Sequence, residues 1–373
     1  MQLRNIKDVG VSGKRVLVRT SLNVPISDGH VLDDFRLTAS AETLRFLAER
    51  GARVVVLAHL GREGDTLRPV VDALAAHLTG IKLQFVDIAS DQFASFDVPT
   101  DSNVITVMEN VRKYKGEEEN NVELAQAFAS LGDVFVNDAF ADSHREHASI
   151  VGIPKHLPSY AGLLVEREVE KLSAAREPMH PALAVIGGAK FETKEPLISR
   201  LLQTYDRVCV GGALVNDFFK VCGYNIGKSM MSAQSPDKVL MNNQRLELPN
   251  DVVVAVDGRA RSTVPEDVKD EESISDAGPA TGRRWATYIA DASFVLMNGP
   301  LGVYEHGFST ETEHMARALA ESKAHAVVGG GDTIAALSKQ KFDPERVFLS
   351  TGGGAMLQFL ADGTLVGLEP LKA

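Results

Sequence analysis

The chain has 373 residues, long for one domain and comfortable for two, and its 44% hydrophobic and 24% charged content is that of a globular protein. A formal net charge of -11 argues against nucleic acid as a general partner, because a phosphate backbone calls for a basic footprint, but it leaves room for small anions at a local basic cluster. Only Cys209 and Cys222 are present, without neighbours at metal-ligand spacing, so no disulfide framework beyond one pair is possible and a reducing, cytoplasmic setting is expected. The opening Met-Gln-Leu-Arg-Asn-Ile-Lys carries no apolar leader, and no apolar run approaches the length of a membrane span.

In chain order, apolar runs at 15–22, 53–60, 83–88, 104–109 and 134–137 predict strands. Helical patterns fall between them, at 38–50 after Asp33 and Asp34, at 70–78 behind Pro69, and at 121–131. Continuous apolar strands with crossover helices predict a parallel sheet covered on both faces. Over 161–176, Val165, Val169 and Leu172 recur at helical spacing, and Pro178 and Pro181 end the stretch. This predicts a helix connecting two lobes, with an ordinary surface helix as the alternative. Beyond it the plan repeats, with strands at 182–186, 207–210, 252–256, 294–297, 326–328 and 347–349.

Ligands of open parallel sheets collect at the C-terminal ends of the strands. In the first half those ends carry Arg19, His59, Arg62 and Arg112, with Arg36 and Arg145 nearby. Guanidinium forks converging there suit a multiply charged anion, although any one of them alone reads as a solvated or structural charge. His144 and His147 lack a third ligand for a metal.

The second half replaces side chains by glycine turns. Gly187-Gly188 leads to Lys190 and Lys194, which would share a face on a helix and suit a polyphosphate. Gly211-Gly212 and Asn298-Gly299-Pro300-Leu301-Gly302 also follow strands, and Glu305 stands ready for ribose hydroxyls. Gly329, Gly330 and Gly331 precede Asp332 and Thr333 and a helix expected over 332–340; Gly352, Gly353 and Gly354 open another. Such turns cradle phosphate or serve as plain strand-to-helix corners. Asp332 is a hard oxygen ligand for Mg²⁺. Gly223 to Ser229 imitates a phosphate-binding loop, but it is one residue short and follows a helix, so it reads as a helix cap and turn.

These motifs together resemble phosphoglycerate kinase. The resemblance runs nearly end to end, through Gly13-Lys-Arg-Val-Leu-Val-Arg19, Asn23-Val-Pro25, Asp33-Asp-Phe-Arg36, His59-Leu-Gly-Arg62, Glu109-Asn-Val-Arg112, Val136-Asn-Asp-Ala-Phe140 and His144-Arg-Glu-His147. It continues through Gly187-Gly-Ala-Lys190, Asn298-Gly-Pro-Leu-Gly302, Gly329-Gly-Gly-Asp-Thr333 and Ser350-Thr-Gly-Gly-Gly354.

The resemblance implies an α/β fold of two Rossmann-like lobes, each a parallel β-sheet flanked by helices, joined by an interdomain helix. The expected boundaries are 1–160 with a returning tail 360–373 for the phosphoglycerate lobe, 161–176 for the connecting helix, and 177–359 for the nucleotide lobe. It implies Mg²⁺-dependent phosphoryl transfer between 1,3-bisphosphoglycerate and ADP, giving 3-phosphoglycerate and ATP, by a cytoplasmic monomer that closes on a hinge at Ser350 and Thr351. Neither nucleic acid nor a membrane is an expected partner. A same-fold kinase with an altered phospho-substrate and a non-catalytic scaffold are the alternatives.

Carried over by residue, Ser21, Asn23, Arg36, His59, Arg62, Arg112 and Arg145 would hold the phosphoglycerate. Arg36, Lys190 and the amides of Gly330 and Gly353 would serve the transferring group. Gly187, Gly188, Lys194, Gly211, Gly212, Asn298, Pro300, Gly302, Glu305, Gly329, Gly330, Gly331, Asp332 and Thr333 would form the nucleotide site, with Asp332 on the metal. The chain departs from the pattern at Ser21, where the resemblance leads to an aspartate that accepts from the substrate hydroxyl. The loss of that charge implies weaker or altered substrate binding, which Ser21→Asp would reverse. Thr193 and Met297 are further departures, and the segments 230–250 and 262–276 are short.

Overall fold

The computed structural model describes every residue of the chain except Glu63, Ser338 and Lys339. The chain divides into two compact units, Met1–Glu170 with Thr364–Ala373, and Lys171–Gly363.

The first unit is built on a six-stranded parallel sheet. Its order is Lys82–Val86, Val104–Met108, Arg53–Leu57, Arg15–Thr20, Val134–Asp138, Ser159–Ala161. Successive side chains of a strand point to opposite faces, and both faces are covered here. Val16, Val18, Val54, Val56, Val107 and Val136 enter one buried cluster. Leu17, Val55, Leu57, Met108 and Phe135 enter the other. This explains why the strands read as unbroken apolar runs rather than alternating ones. Arg15–Thr20 pairs with Arg53–Leu57 on one side and Val134–Asp138 on the other, so the strand order reverses at its C-terminal end. The short strand Ser159–Ala161 is too brief and polar to have been visible in the sequence pattern.

The second unit repeats the architecture in the order Leu246–Glu247, Arg207–Val210, Ala182–Ile186, Phe294–Asn298, His325–Gly329, Val347–Leu349. Its reversal lies at Ala182–Ile186, beside Arg207–Val210 and Phe294–Asn298. Helices Phe191–Thr204, Pro279–Asp291, Thr310–Glu321 and Gly354–Asp362 accompany it. Met297 is buried in the core, which accounts for its place in the strand as packing.

One expected strand of the repeated plan lies elsewhere. Val252–Val256 is the centre of a three-stranded antiparallel sheet, between Arg259–Thr263 and Ser273–Ala277. The cause is local. Asp257 and Gly258 both have positive φ, 48° and 76°, the backbone of a tight hairpin turn that Asp-Gly favours. Asp28 and Gly29, at 50° and 77°, make a second such turn between Ile26–Ser27 and His30–Val31.

The helix Leu163–Arg176 crosses the division between the units. Its first amides are capped from the first unit, by a residue of helix Phe35–Glu49 and by the last residue of strand Val134–Asp138. Thr43 Oγ1 accepts from Leu163 N at 3.1 Å and Asp138 Oδ1 from Leu164 N at 3.0 Å. Near its other end Arg176 Nε donates to Leu360 O at 3.1 Å. The C-terminal residues pack on the first unit: Arg4 N donates to Leu371 O at 2.8 Å, and Gly367 N to Ser143 O at 2.8 Å. Among the described residues no helix is long and apolar enough to cross a membrane.

Candidate active site

The C-terminal edge of the first sheet gathers the basic side chains that the sequence placed after strands. Asn23 Oδ1 accepts from Gly61 N at 3.0 Å, and Arg36 Nη1 donates to Asn23 O at 2.7 Å. Arg112 Nη1 donates to Gly61 O, and its Nε lies 3.0 Å from Glu118 Oε1. Asn23, Gly61, Arg36 and Arg112 are therefore tied together, the two arginines through backbone carbonyls and Asn23 to Gly61 through its side-chain oxygen. Arg62 is exposed and Arg145 half-buried. Arg145 sits on the turn after Asp142, whose carbonyl accepts its amide at 3.0 Å.

Beneath this edge lies a buried polar cluster. Arg19, Ser21, His59, Glu117, Asp142 and Ser149 are all less than 4% exposed. Arg19 Nε donates to Ser149 Oγ at 3.0 Å and Nη1 to Thr20 O at 2.5 Å. Ser149 in turn donates to Glu117 through Oγ at 2.5 Å and through its amide at 3.0 Å. Burial opposes the charge of Asp142, yet Arg19, His59 and Arg145 hold its carboxyl well below the usual range. Burial pushes the Glu117 carboxyl up, against the pull of Arg19. Burial also lowers His59, against the pull of Asp142. Arg19 was legible as a strand-end base, but nothing in the sequence marked Glu117, Asp142 or Ser149 as its partners. Ser21 Oγ donates to Asp142 Oδ2 at 3.2 Å. The charge missing at position 21 is thus present beside it, and this reverses the expectation for Ser21→Asp: that substitution sets two carboxylates together.

Neither histidine of the His144-Arg-Glu-His147 motif joins a metal cluster, and no group of three or more His, Cys, Asp or Glu suited to a metal exists among the described residues. Burial lowers both, His147 to about 4.

In the second unit the glycines are required by close backbone packing. Gly187 N donates to Asn298 O at 2.9 Å, and Gly188 N to Pro300 O at 2.9 Å. A Cβ at Gly187 would collide with the Pro300 carbonyl, and one at Gly212 would come within 2.5 Å of Gly188 N. A Cβ at Gly211 would lie 2.7 Å from Leu301 Cδ2. Gly302 is closed by the backbone oxygen of Phe308, whereas Gly329 faces the side-chain Sδ of Met356. These turns are locked onto one another at the ends of adjacent strands.

The two lysines do not share a face. Lys190 is the exposed residue that caps helix Phe191–Thr204, with an extended backbone. Lys194 is 8% exposed and turned inward. Its Nζ donates to Gly187 O and, at 3.0 Å, to Asn298 Oδ1. Burial lowers its pKa to about 8. The reason is that Lys190 precedes the helix, so the spacing of four does not apply to it.

Gly330 has φ +97° and Gly353 φ +51°, both in the region that favours glycine. Helix Gly331–Leu337 begins directly after the first, and the part of the expected 332–340 helix at Ser338 and Lys339 lies outside the described residues. Gly331 and Asp332 are exposed, whereas Thr333 is buried with no partner for Oγ1 among the described residues. Glu305 is exposed on a single turn, Tyr304–His306. The Gly223 to Ser229 stretch is a cap and turn, since Gly223 has φ +84° after helix Leu214–Val221 and Lys228 N donates to Glu272 O at 2.7 Å.

One sheet edge lined with guanidinium and imidazole groups and another lined with glycine turns around a buried lysine define a two-lobed α/β phosphotransferase. The phosphoglycerate kinase family model matches residues 6–363. Phosphoglycerate kinases from Maricaulis maris and Haemophilus influenzae are each 38% identical to the chain, over 98% and 100% of it and 97% and 99% of their own lengths. The solved phosphoglycerate kinase of Coxiella burnetii is 37% identical with a TM-score of 0.80, covering 99% of this chain and 98% of its own. That of Pyrococcus horikoshii is 27% identical with a TM-score of 0.85, at the same coverage. The chain belongs to the phosphoglycerate kinase family, and it is an enzyme, a kinase.

Proposed function

We propose that the chain transfers a phosphoryl group reversibly from 1,3-bisphosphoglycerate to ADP, yielding 3-phosphoglycerate and ATP. The observation that carries this reading is the set Asn23, Arg36, His59 and Arg112 at the reversal point of the first sheet, in a chain of this family. With Ser21, Arg62 and Arg145 they bind the phosphoglycerate. The turns at Gly187, Gly188, Gly211, Gly212, Asn298, Pro300, Gly302 and Gly329 to Thr333, with Lys194 and Glu305, bind the nucleotide.

The reaction needs no protein nucleophile, because the terminal phosphate oxygen of ADP itself attacks the acyl phosphate. Catalysis then consists of in-line positioning and neutralisation of the equatorial oxygens. Arg36, Lys190 and the amides of Gly330 and Gly353 supply that. The exposed carboxylate of Asp332 is the donor for Mg²⁺. One carboxylate beside phosphate oxygens fits a magnesium ion that arrives with the nucleotide rather than a resident cage. Bound there, the metal neutralises phosphate charge. The enzyme acts as a cytoplasmic monomer whose units close on a hinge at Ser350 and Thr351. Equal small-angle scattering profiles with and without both substrates would remove the hinge.

The test of the activity is ATP- and 3-phosphoglycerate-dependent NADH oxidation coupled to glyceraldehyde-phosphate dehydrogenase. Turnover is expected. Nucleotide binding without turnover would point to a different phospho-acceptor.

A further inference from the structure

Beneath the basic edge of the first sheet, one carboxylate joins three side chains from the ends of two strands, Arg15–Thr20 and Arg53–Leu57. Asp142 Oδ2 lies 3.3 Å from Arg19 Nη1 and 3.4 Å from His59 Nδ1, and it accepts from Ser21 Oγ at 3.2 Å. The turn that carries Asp142 is held by its neighbour. Asn137 Nδ2 donates to Ser143 Oγ at 3.1 Å and to Gly367 O at 3.1 Å. His59 Nε2 is buried and has no partner among the described residues. The ring thus commits one nitrogen to the cluster and keeps the other for a ligand.

An anionic ligand requires a hydrogen on Nε2. The surroundings of Nδ1 permit this in two ways. In the neutral ring Nδ1 accepts from Arg19 Nη2, 3.2 Å away. In the imidazolium Nδ1–H donates to Asp142, and the ring brings a positive charge to the ligand as well. Only the second state pairs a positive ring with the anion across that hydrogen bond, and a carboxylate at Nδ1 stabilises it in so buried a place.

We propose that Asp142 is a positioning residue of the phosphoglycerate pocket: through Nδ1 it orients His59 and supports its charged form, so that Nε2 donates to an anionic group of the substrate. This rests on the functional reading above. It also gives Ser21 a role. The chain keeps one carboxylate at this spot, brought by the 140–142 turn rather than by the first strand, with Ser21 as its hydrogen-bond donor.

The experiment compares steady-state kinetics of Asp142→Asn and of the exchange Ser21→Asp/Asp142→Asn with wild type. Asp142→Asn is expected to raise KM for 3-phosphoglycerate about tenfold, the loss of the imidazolium's charge opposite the substrate anion. Both kcat and KM for ATP should stay within a factor of two. The pH profile of 1/KM for 3-phosphoglycerate should break at lower pH in this variant, because Arg19 and Arg112, the other charged groups facing His59, both disfavour the imidazolium. The exchange, which restores a carboxylate beside Arg19 and His59, should recover most of the affinity. A folded Asp142→Asn protein with unchanged KM and pH profile overturns the proposal. So does a folded exchange variant without recovery, which decides the matter even if the single variant does not fold. Wild-type turnover of 3-phosphoglycerate tests the functional reading separately, so the two failures are distinguishable.

Discussion

The two sheet edges are built by opposite means. The first positions its chemistry with long charged side chains. Arg19, Arg36 and Arg112 each reach a carbonyl, and Asp142 and Glu117 balance them from below. The second positions its chemistry with backbone. Gly187, Gly188 and Gly212 pack main chain against main chain, and the buried Lys194 ties two of the strand ends together. A side-chain site is sensitive to the loss or addition of charge and tolerant of small changes in shape. A backbone site is the reverse: a single methyl group breaks it, whereas its electrostatics are spread over many amides.

The largest expected effect probes the exposed lysine at the second edge, which belongs to neither packing scheme. Lys190→Ala is expected to lower kcat by 10²–10³-fold, about 3–4 kcal/mol of barrier, with little change in KM for ADP. An unchanged kcat in a coupled assay would leave the transferring group to Arg36 and the amides alone.

Gly187→Ala tests the backbone site directly. Its methyl group has no room beside the Pro300 carbonyl. The expected cost is about 1–3 kcal/mol of stability, with KM for ADP raised and KM for 3-phosphoglycerate unchanged. Urea denaturation and kinetics with each substrate varied would reveal whether the damage stays on the nucleotide side.

Ser21→Asp tests the charged site by adding charge. A second carboxylate beside Asp142 forces one of the two to take a proton or repel the substrate. Binding of 3-phosphoglycerate is expected to weaken roughly tenfold, about 1.4 kcal/mol by calorimetry. Tighter binding would mean that the two carboxylates do not meet.

The smallest effect concerns pH. Burial raises Asp138, under the start of helix Leu163–Arg176, to about 7. A folded pKa above the unfolded one means that its contribution to stability is full below about pH 4 and is lost as pH rises through 7. Asp138→Asn keeps the acceptor for Leu164 N and removes the titration. It should flatten the decline in stability between pH 6 and 7 by about 1 kcal/mol. An unchanged slope in urea titrations at the two pH values would place the loss on other groups, of which Asp276, also raised to about 7 by burial, is the first candidate.

Much of the fold was legible because it rests on local rules. Apolar runs such as Val54 to Leu57 must be buried on both faces, and only a parallel sheet with helices on either side does that. The strands at 182–186, 207–210 and 347–349 match the structure as Ala182–Ile186, Arg207–Val210 and Val347–Leu349. The antiparallel sheet around Val252–Val256 was also written locally, in Asp257-Gly258, but apolar periodicity outweighed the turn signal. The glycines of the second edge were legible for the same reason, since glycine's freedom is a property of the residue itself.

Residue type and order by themselves determined the alternation of strand and helix, the glycine turns, the basic strand ends and the family motifs. Tertiary structure alone decided the rest: Asp142 beside Ser21 and His59, Lys194 inward and Lys190 outward, Gly367 against Ser143. The reason is that these contacts join residues far apart in the chain, and their partners are chosen by the ends of strands that meet only when the sheet has formed. Burial then sets the charge states, which no spacing of residues encodes.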